Sequence, residues 1–323
     1  MLGTLSGSNS VVVRDVTDIN HPSTVTTVDI DGRGGLTFVG PDRLAAPSAA
    51  GMDLMPLSGT PKRTVVMSCK GIWTYAWNAD GTQLAYVSEG NFPEGSPPWT
   101  LDWHLVAGGV DRLIGHAAPS CHCDGEVDMH YSFGLAFSPD GRYVSMVEDI
   151  PGGTDMQVRR LDGSLVTEIG SQALDRAPKD FTTLGVWDGD GLYFRDSKGV
   201  EVWRNGSVTS VLAGVPWTAS ADSPAGGQIV FAVEGADHLH RPSLLDPTTG
   251  RVSALATHPG VGFRYLGSRY LWYAGERRCV STDNCVFADS NVLTGTTYIL
   301  DLVAGTESES RITQIFDVWP HGV

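Results

Sequence analysis

The sequence predicts an all-β fold, and three observations predict it. The 39 glycines and 18 prolines make up about 18% of the chain, against roughly 12% in average usage, and they run from end to end. Many short strands joined by tight turns produce that distribution. Helical periodicity is nearly absent. Above all, a hairpin phrase recurs: "FSPDGRYVSM" at Phe137–Met146 repeats "WNADGTQLAYVSE" at Trp77–Glu89.

The phrase is an apolar strand, a turn built on Asp-Gly or its equivalent, and a second strand rich in Tyr, Val, Leu or Ile. It recurs from Leu36, Trp73, Ser132, Thr182, Trp217 and Gly262, with turns near residues 42, 81, 141, 191, 227 and 268. Asp-Gly suits a two-residue hairpin turn because Gly adopts positive φ cheaply and Asp tolerates it. Two further strands lie between successive hairpins. Val200–Leu212 turns on Asn205-Gly206, Met156–Ile169 on Asp162-Gly163, and Arg241–Leu255 on Thr249-Gly250. Thr297–Phe316 is the last such pair. A repeat of about 36 to 60 residues holding four strands is the period of a propeller blade with variable loops. One blade cannot bury both faces of its sheet, whereas blades packed in a ring can.

Six hairpins are present, and the N-terminal strands Val11–Val16 and Thr24–Ile30 form an outer pair with no hairpin before them. The chain ends in "FDVWPHGV". The two ends are therefore expected to share a blade, which closes the ring and hides its edges. The expectation is one β-propeller domain over residues 1–323, of seven blades, with six as the alternative.

The hydrophobic fraction of 41% is enough for a core. Net charge is −15, from 37 acidic and 22 basic residues, and no Lys/Arg cluster is visible. Nucleic acid is therefore not an expected partner. No apolar run is long enough for a membrane-spanning helix. The first residues, "MLGTLSGSNS", have neither the basic region nor the apolar run of a signal peptide.

At its hairpins the chain resembles the TolB-like propellers, whose repeat carries an aromatic-Ser-Pro-Asp-Gly turn before a Leu-Ala-Tyr-like strand. Phe137-Ser138-Pro139-Asp140-Gly141 matches fully. Trp77-Asn78-Ala79-Asp80-Gly81 with Leu84-Ala85-Tyr86 matches with Asn-Ala in place of Ser-Pro. The resemblance covers two blades as motif and most of the chain as architecture. It implies the propeller fold and an extracytoplasmic setting. It names no reaction, because propellers host binding modules, lyases, hydrolases and scaffolds.

The longest interval between hairpins holds "HAAPSCHCDGEVDMH". His116, Cys121, His122, Cys123, Asp128 and His130 are the candidate metal ligands there, because imidazole, thiolate and carboxylate bind zinc or copper. No familiar ligand spacing accompanies them. The plainer reading is a solvated loop with a disulfide to Cys69 or elsewhere. "DIDGRGG" at Asp29 opens like a calcium loop but lacks the later acidic ligand. Cys279 and Cys285 bracket a short loop and are expected to form a disulfide, which implies an oxidising compartment. Five cysteines cannot all pair within one chain.

Of the tryptophans, Trp73, Trp77, Trp187, Trp203, Trp217 and Trp272 sit on predicted strands and read as core between blades. Trp99 and Trp319 lie near loops and, with His122, are the candidate ligand contacts. Asn205-Gly206-Ser207 fits a glycosylation acceptor, although the turn already requires its Asn-Gly.

Two function classes follow. The favoured one is an extracytoplasmic, monomeric binding propeller for a protein, peptide or glycan, using the His/Cys segment and "NFPEGSPPW" at Asn91–Trp99. The alternative is a propeller enzyme, a polysaccharide lyase or hydrolase, with or without a metal. Its base and charge stabiliser would come from His104, His130, Tyr131 and Arg142, at the 116–130 loop and the central funnel.

Overall fold

The two matched hairpins show why unlike letters make one turn. In the computed structural model, Gly81 and Gly141 take φ of 70° and 66°, and each donates its N–H to the carbonyl three residues before it, Asn78 or Ser138. The side-chain oxygen at that position does the second job. Ser138 Oγ accepts the N–H of Tyr143 at 2.9 Å, and Asn78 Oδ1 accepts the N–H of Gln83 at 2.9 Å. Asp140 and Asp80 then accept the N–H of Arg142 and Thr82. Asn replaces Ser because either supplies an acceptor for the next strand's first N–H.

The structure describes residues 2–5, 10–29, 36–48, 51–57, 64–67, 72–89, 101–117, 134–150, 153–169, 185–196, 199–213, 217–222, 228–255, 257–279, 291–313, 315 and 317–318. The strands run as follows. The first blade takes β1 (Leu2–Leu5), β2 (Ser10–Asp15) and β3 (Ser23–Asp29). Blade two is β4 (Thr37–Phe38), β5 (Arg43–Ser48), β6 (Gly51–Pro56) and β7 (Thr64–Met67). Blade three is β8 (Ile72–Trp77), β9 (Gln83–Glu89), β10 (Leu101–Ala107) and β11 (Val110–Ala117). Blade four is β12 (Gly134–Phe137), β13 (Tyr143–Ile150), β14 (Gly153–Arg160) and β15 (Leu165–Ile169). Blade five is β16 (Val186–Asp188), β17 (Gly191–Asp196), β18 (Gly199–Arg204) and β19 (Ser207–Ala213). Blade six is β20 (Trp217–Asp222), β21 (Ile229–Glu234), β22 (His240–Asp246) and β23 (Arg251–Ala254). Blade seven is β24 (Gly260–Leu266), β25 (Tyr270–Arg278), β26 (Asn291–Asp301) and β27 (Thr306–Glu309). Last comes β28 (Asp317–Val318).

Among the described residues these form seven four-stranded antiparallel sheets, the predicted number of blades. The first sheet is ordered β28-β1-β2-β3, with Leu2 opposite Val318 and Gly3 opposite Asp317. The two ends thus share a blade, as expected. The division differs in one respect: β1 makes the N-terminus contribute three strands rather than an outer pair.

Among the described residues seven apolar clusters hold the ring, one at each joint. Val11, Val13 and Val28 pack on Phe38 and Leu44 between blades one and two. Val39, Ala45 and Met52 meet Leu84 and Tyr86 at the next joint. Trp103, Leu105 and Ile114 meet Val144 and Met146; Met156 and Val158 meet Trp187 and Trp203. Tyr193 and Val202 meet Ile229 and Phe231, and Val230 meets Phe263 and Tyr273. Trp272 with Ile312 and Ile315, against Val16 and Ile19, returns the ring to blade one. Each blade thereby buries both faces, which one sheet alone cannot do. In blades one to five the pairing of third and outer strands carries a bulge, as at Trp103/His104 and Val158/Arg159. Bulges twist an outer edge away from regular pairing.

Of the tryptophans read as core, Trp187, Trp203 and Trp272 are buried, Trp77 is half-buried against the cluster between blades two and three, and the side chains of Trp73 and Trp217 lie outside the described residues; Trp103, which carried no sequence signal, is buried too.

Candidate ligand-binding rim

Every blade repeats one up-and-down order. Connections from inner to second strand and from third to outer strand therefore open at one end of the ring. Connections from second to third strand, and from one blade to the next, open at the other. The Asp-Gly turns occupy the first end. The four longest connections, 90–100, 118–133, 170–185 and 279–290, all leave from the second. Three of them follow one another around blades three, four and five.

Register brings the first two together. Leu101 stands opposite Glu89 on one side and Ala117 on the other; Asp102 stands between Ser88 and His116. The strand ends that launch 90–100 and 118–133 are thus adjacent rungs of one sheet. Trp99, Cys121, His122, Cys123, Asp128, His130 and Tyr131 belong to those two segments and lie outside the described residues, as do Cys69, Cys285 and Trp319. Of His116 the structure gives the backbone, opposite Asp102 in β11. Cys279 is fully buried and disulfide-bonded. Among the described residues no group of three or more His, Cys, Asp or Glu could hold a metal ion.

His104 and Arg142 are described, and the structure does not bring them together at this rim. His104 lies on the third strand of blade three. Its Nδ1 is 3.0 Å from Asp111 Oδ1, and its ring stacks on Tyr86 with centroids 4.7 Å apart. The Tyr86 hydroxyl donates to the other Asp111 oxygen at 2.5 Å. These three residues sew the second, third and outer strands of one blade. Arg142 belongs to the Asp-Gly end: its Nε donates to Asp140 Oδ2 at 2.5 Å, and its guanidinium lies 5.4 Å from the Tyr143 ring centre. Asp140 is held below the usual carboxylate range; burial opposes this, but hydrogen bonds from Arg142 and Ser138 outweigh it.

Two histidine–glutamate pairs had no sequence signal, because their partners lie 36 and 49 positions apart. His240 Nδ1 is 3.0 Å from both oxygens of Glu276, and its backbone N–H donates to the same carboxylate at 2.8 Å. The Glu276 side chain is 5% exposed. This pair joins blade six to blade seven. His258, in the connector between the same blades, places Nδ1 against Glu307 Oε2, while Tyr273 donates its hydroxyl to Oε1.

No family model matches the chain, and no curated protein matches it. Solved structures do. A functionally unknown protein from Desulfotomaculum acetoxidans aligns at TM-score 0.60 and 8% identity, over 99% of this chain and 96% of that one. Pyrococcus horikoshii acylaminoacyl peptidase aligns at 0.56 and 14% identity over 93% of this chain, which spans 47% of the peptidase. A putative TolB from Agrobacterium tumefaciens aligns at 0.48 and 18% identity, over 79% and 91%. At these identities the likeness is one of fold, a β-propeller ring, and it carries no activity with it. Among the described residues no helix is long and apolar enough to cross a membrane.

Proposed function

We propose that the chain is an extracytoplasmic binding propeller of the TolB-like kind. Its ligand, a protein, peptide or glycan, docks on the sector of the rim above blades three to five. One observation carries the reading: the four longest connections all leave from one end, three of them from the adjacent blades three and four. A rigid ring that keeps one end in short turns and extends the other in one sector has the build of a scaffold presenting loops. The disulfide at Cys279 supports an oxidising compartment. A net charge of −15 favours ligands without strong negative charge.

The test replaces 118–133 with a Gly-Ser segment of equal length and screens both proteins on glycan and peptide arrays. The joint clusters among the described residues are built from residues outside this segment, so the circular dichroism spectrum and unfolding midpoint should hold. Ligands captured by the parent should be lost. Capture that survives the replacement contradicts the reading. So does catalytic turnover of arrayed glycans or added esters that the replacement abolishes, which would assign the segment to an enzyme.

A further inference from the structure

Blades three and seven carry the same polar device, and blade seven departs from it in a way that leaves a ring on the surface. In blade three, Tyr86 on the second strand, His104 opposite it on the third and Asp111 on the outer strand close on one another. Tyr273 occupies the second-strand position in blade seven, and Tyr298 stands opposite it. Glu307 takes the outer-strand position. In the register, His104 faces Leu113 and Tyr298 faces Glu309, and each acid lies two residues before that partner. The His104 position is thus a tyrosine, and the acid is one methylene longer.

The longer acid reaches a histidine from outside the sheet. His258 Nδ1 meets Glu307, the His258 backbone N–H lies 3.3 Å from both Glu307 oxygens, and the imidazole stacks on Tyr298 at 4.5 Å and 8°. Tyr298 stacks in turn on Tyr273. The imidazole is therefore fixed in position and tilt. A carboxylate only accepts, so in the neutral imidazole Nδ1 carries the proton and Nε2 presents a lone pair. Nε2 makes no hydrogen bond among the described residues. Yet His258 is 61% exposed, against 20% for His104. Sewing strands together accounts for His104. It does not account for a fixed ring left in water.

We infer that the His258 ring is a docking platform for an arginine side chain of a protein or peptide partner. Three properties select guanidinium. The platform is flat, which suits a planar cation stacked on a ring. Its outward atom is an acceptor, which needs a donor. Its surroundings are anionic: the exposed Glu309 shares a sheet face with Glu307 and Tyr298 by strand alternation and cross-strand pairing. Guanidinium is planar, cationic and a multiple donor at once. The net charge of −15 steers such a partner inward. The site is separate from the rim sector over blades three to five, so each can fail without the other.

The experiment uses three capped pentapeptides, Gly-Ser-X-Ser-Gly, with X arginine, lysine or citrulline. Citrulline keeps the planar shape and removes the charge. Binding is followed through the His258 ring resonances in NMR titrations of the full chain. The arginine peptide should shift them and bind about tenfold more tightly than the citrulline peptide, from one cation–ring contact and one charge-assisted hydrogen bond. Lysine should fall between. Glu309→Gln should abolish most of that preference with an unchanged unfolding midpoint, since Glu309 lies outside the Tyr273–Glu307–His258 contacts. His258→Ala, which lacks the reporting ring and is followed by isothermal titration calorimetry alongside the parent, should abolish it too. Equal binding of arginine and citrulline, or a preference that survives in either variant, overturns the proposal.

Discussion

Two tryptophans at the joint of blades four and five test the packing argument, because they differ in one atom's partner. Trp187 and Trp203 meet edge to face, with centroids 6.0 Å apart, and Tyr143 completes the cluster. Trp187 Nε1 donates to Ser145 Oγ at 3.0 Å inside the core. Trp203 Nε1 is buried with no hydrogen-bond partner among the described residues. Substituting Phe for either shrinks the ring and costs about 1–2 kcal/mol in lost packing. At Trp187 the change also removes a buried hydrogen bond, adding about 1 kcal/mol. At Trp203 it removes an unsatisfied donor whose burial costs about 1–2 kcal/mol, and the two effects nearly cancel. Trp203→Phe should therefore lie within about 1 kcal/mol of the parent, and Trp187→Phe about 2–3 kcal/mol below it. Trp203→Ala, at about 3–5 kcal/mol, calibrates the site as core. Urea unfolding followed by far-ultraviolet circular dichroism measures all three. Trp203→Phe proving as costly as Trp187→Phe would refute the reasoning.

Three further predictions follow from the turns and the cysteines. Gly199 has φ of 143°, and a Cβ there would lie 1.9 Å from the carbonyl oxygen of Leu212; Gly199→Ala should cost about 2–4 kcal/mol in the same unfolding assay. The turn carboxylates set the acid limit. Arg269 holds Asp301 down to about 2, Arg241 lowers Asp237 further, and hydrogen bonds from Thr82 and Ser164 lower Asp80 and Asp162. A depressed folded-state pKa stabilises above the unfolded value near 3.8 and ceases to as pH falls through the folded value. Stability should thus fall between about pH 5 and pH 2, and a flat acid limb in a pH series of urea midpoints would contradict this. The denatured, unreduced chain should titrate three thiols, or one if a second pair forms, out of five cysteines; five would exclude the bond at Cys279. Zinc or copper that a chelator removes, with loss of ligand capture, would make 116–130 a metal site.

The ring was legible in the sequence because its repeat is local. Each Asp-Gly turn and the acceptor at Ser138 or Asn78 work within a few residues, so the letters declare the hairpin. β1 was not legible: Leu2–Leu5 is a strand through its pairing with β2 and β28, and the latter lies at the far end of the chain. The same physics hid the histidine pairs. His240 and His258 take their meaning from Glu276 and Glu307, which only the ring brings near. Arg142 was misleading for the opposite reason. It sits beside a strong motif, and its guanidinium is engaged by that motif's own Asp140.

The rim is tested most directly by amide hydrogen exchange of the parent protein with and without its tightest-binding array ligand. Protection should concentrate at the strand ends that launch the long connections, Ser88–Glu89, Leu101–Asp102, Gly115–Ala117 and Gly134, and in the segments between them. Protection confined to the Asp-Gly turns at 78–82, 138–142 and 161–164, with those strand ends unchanged, would place the ligand on the wrong end of the ring and contradict the account.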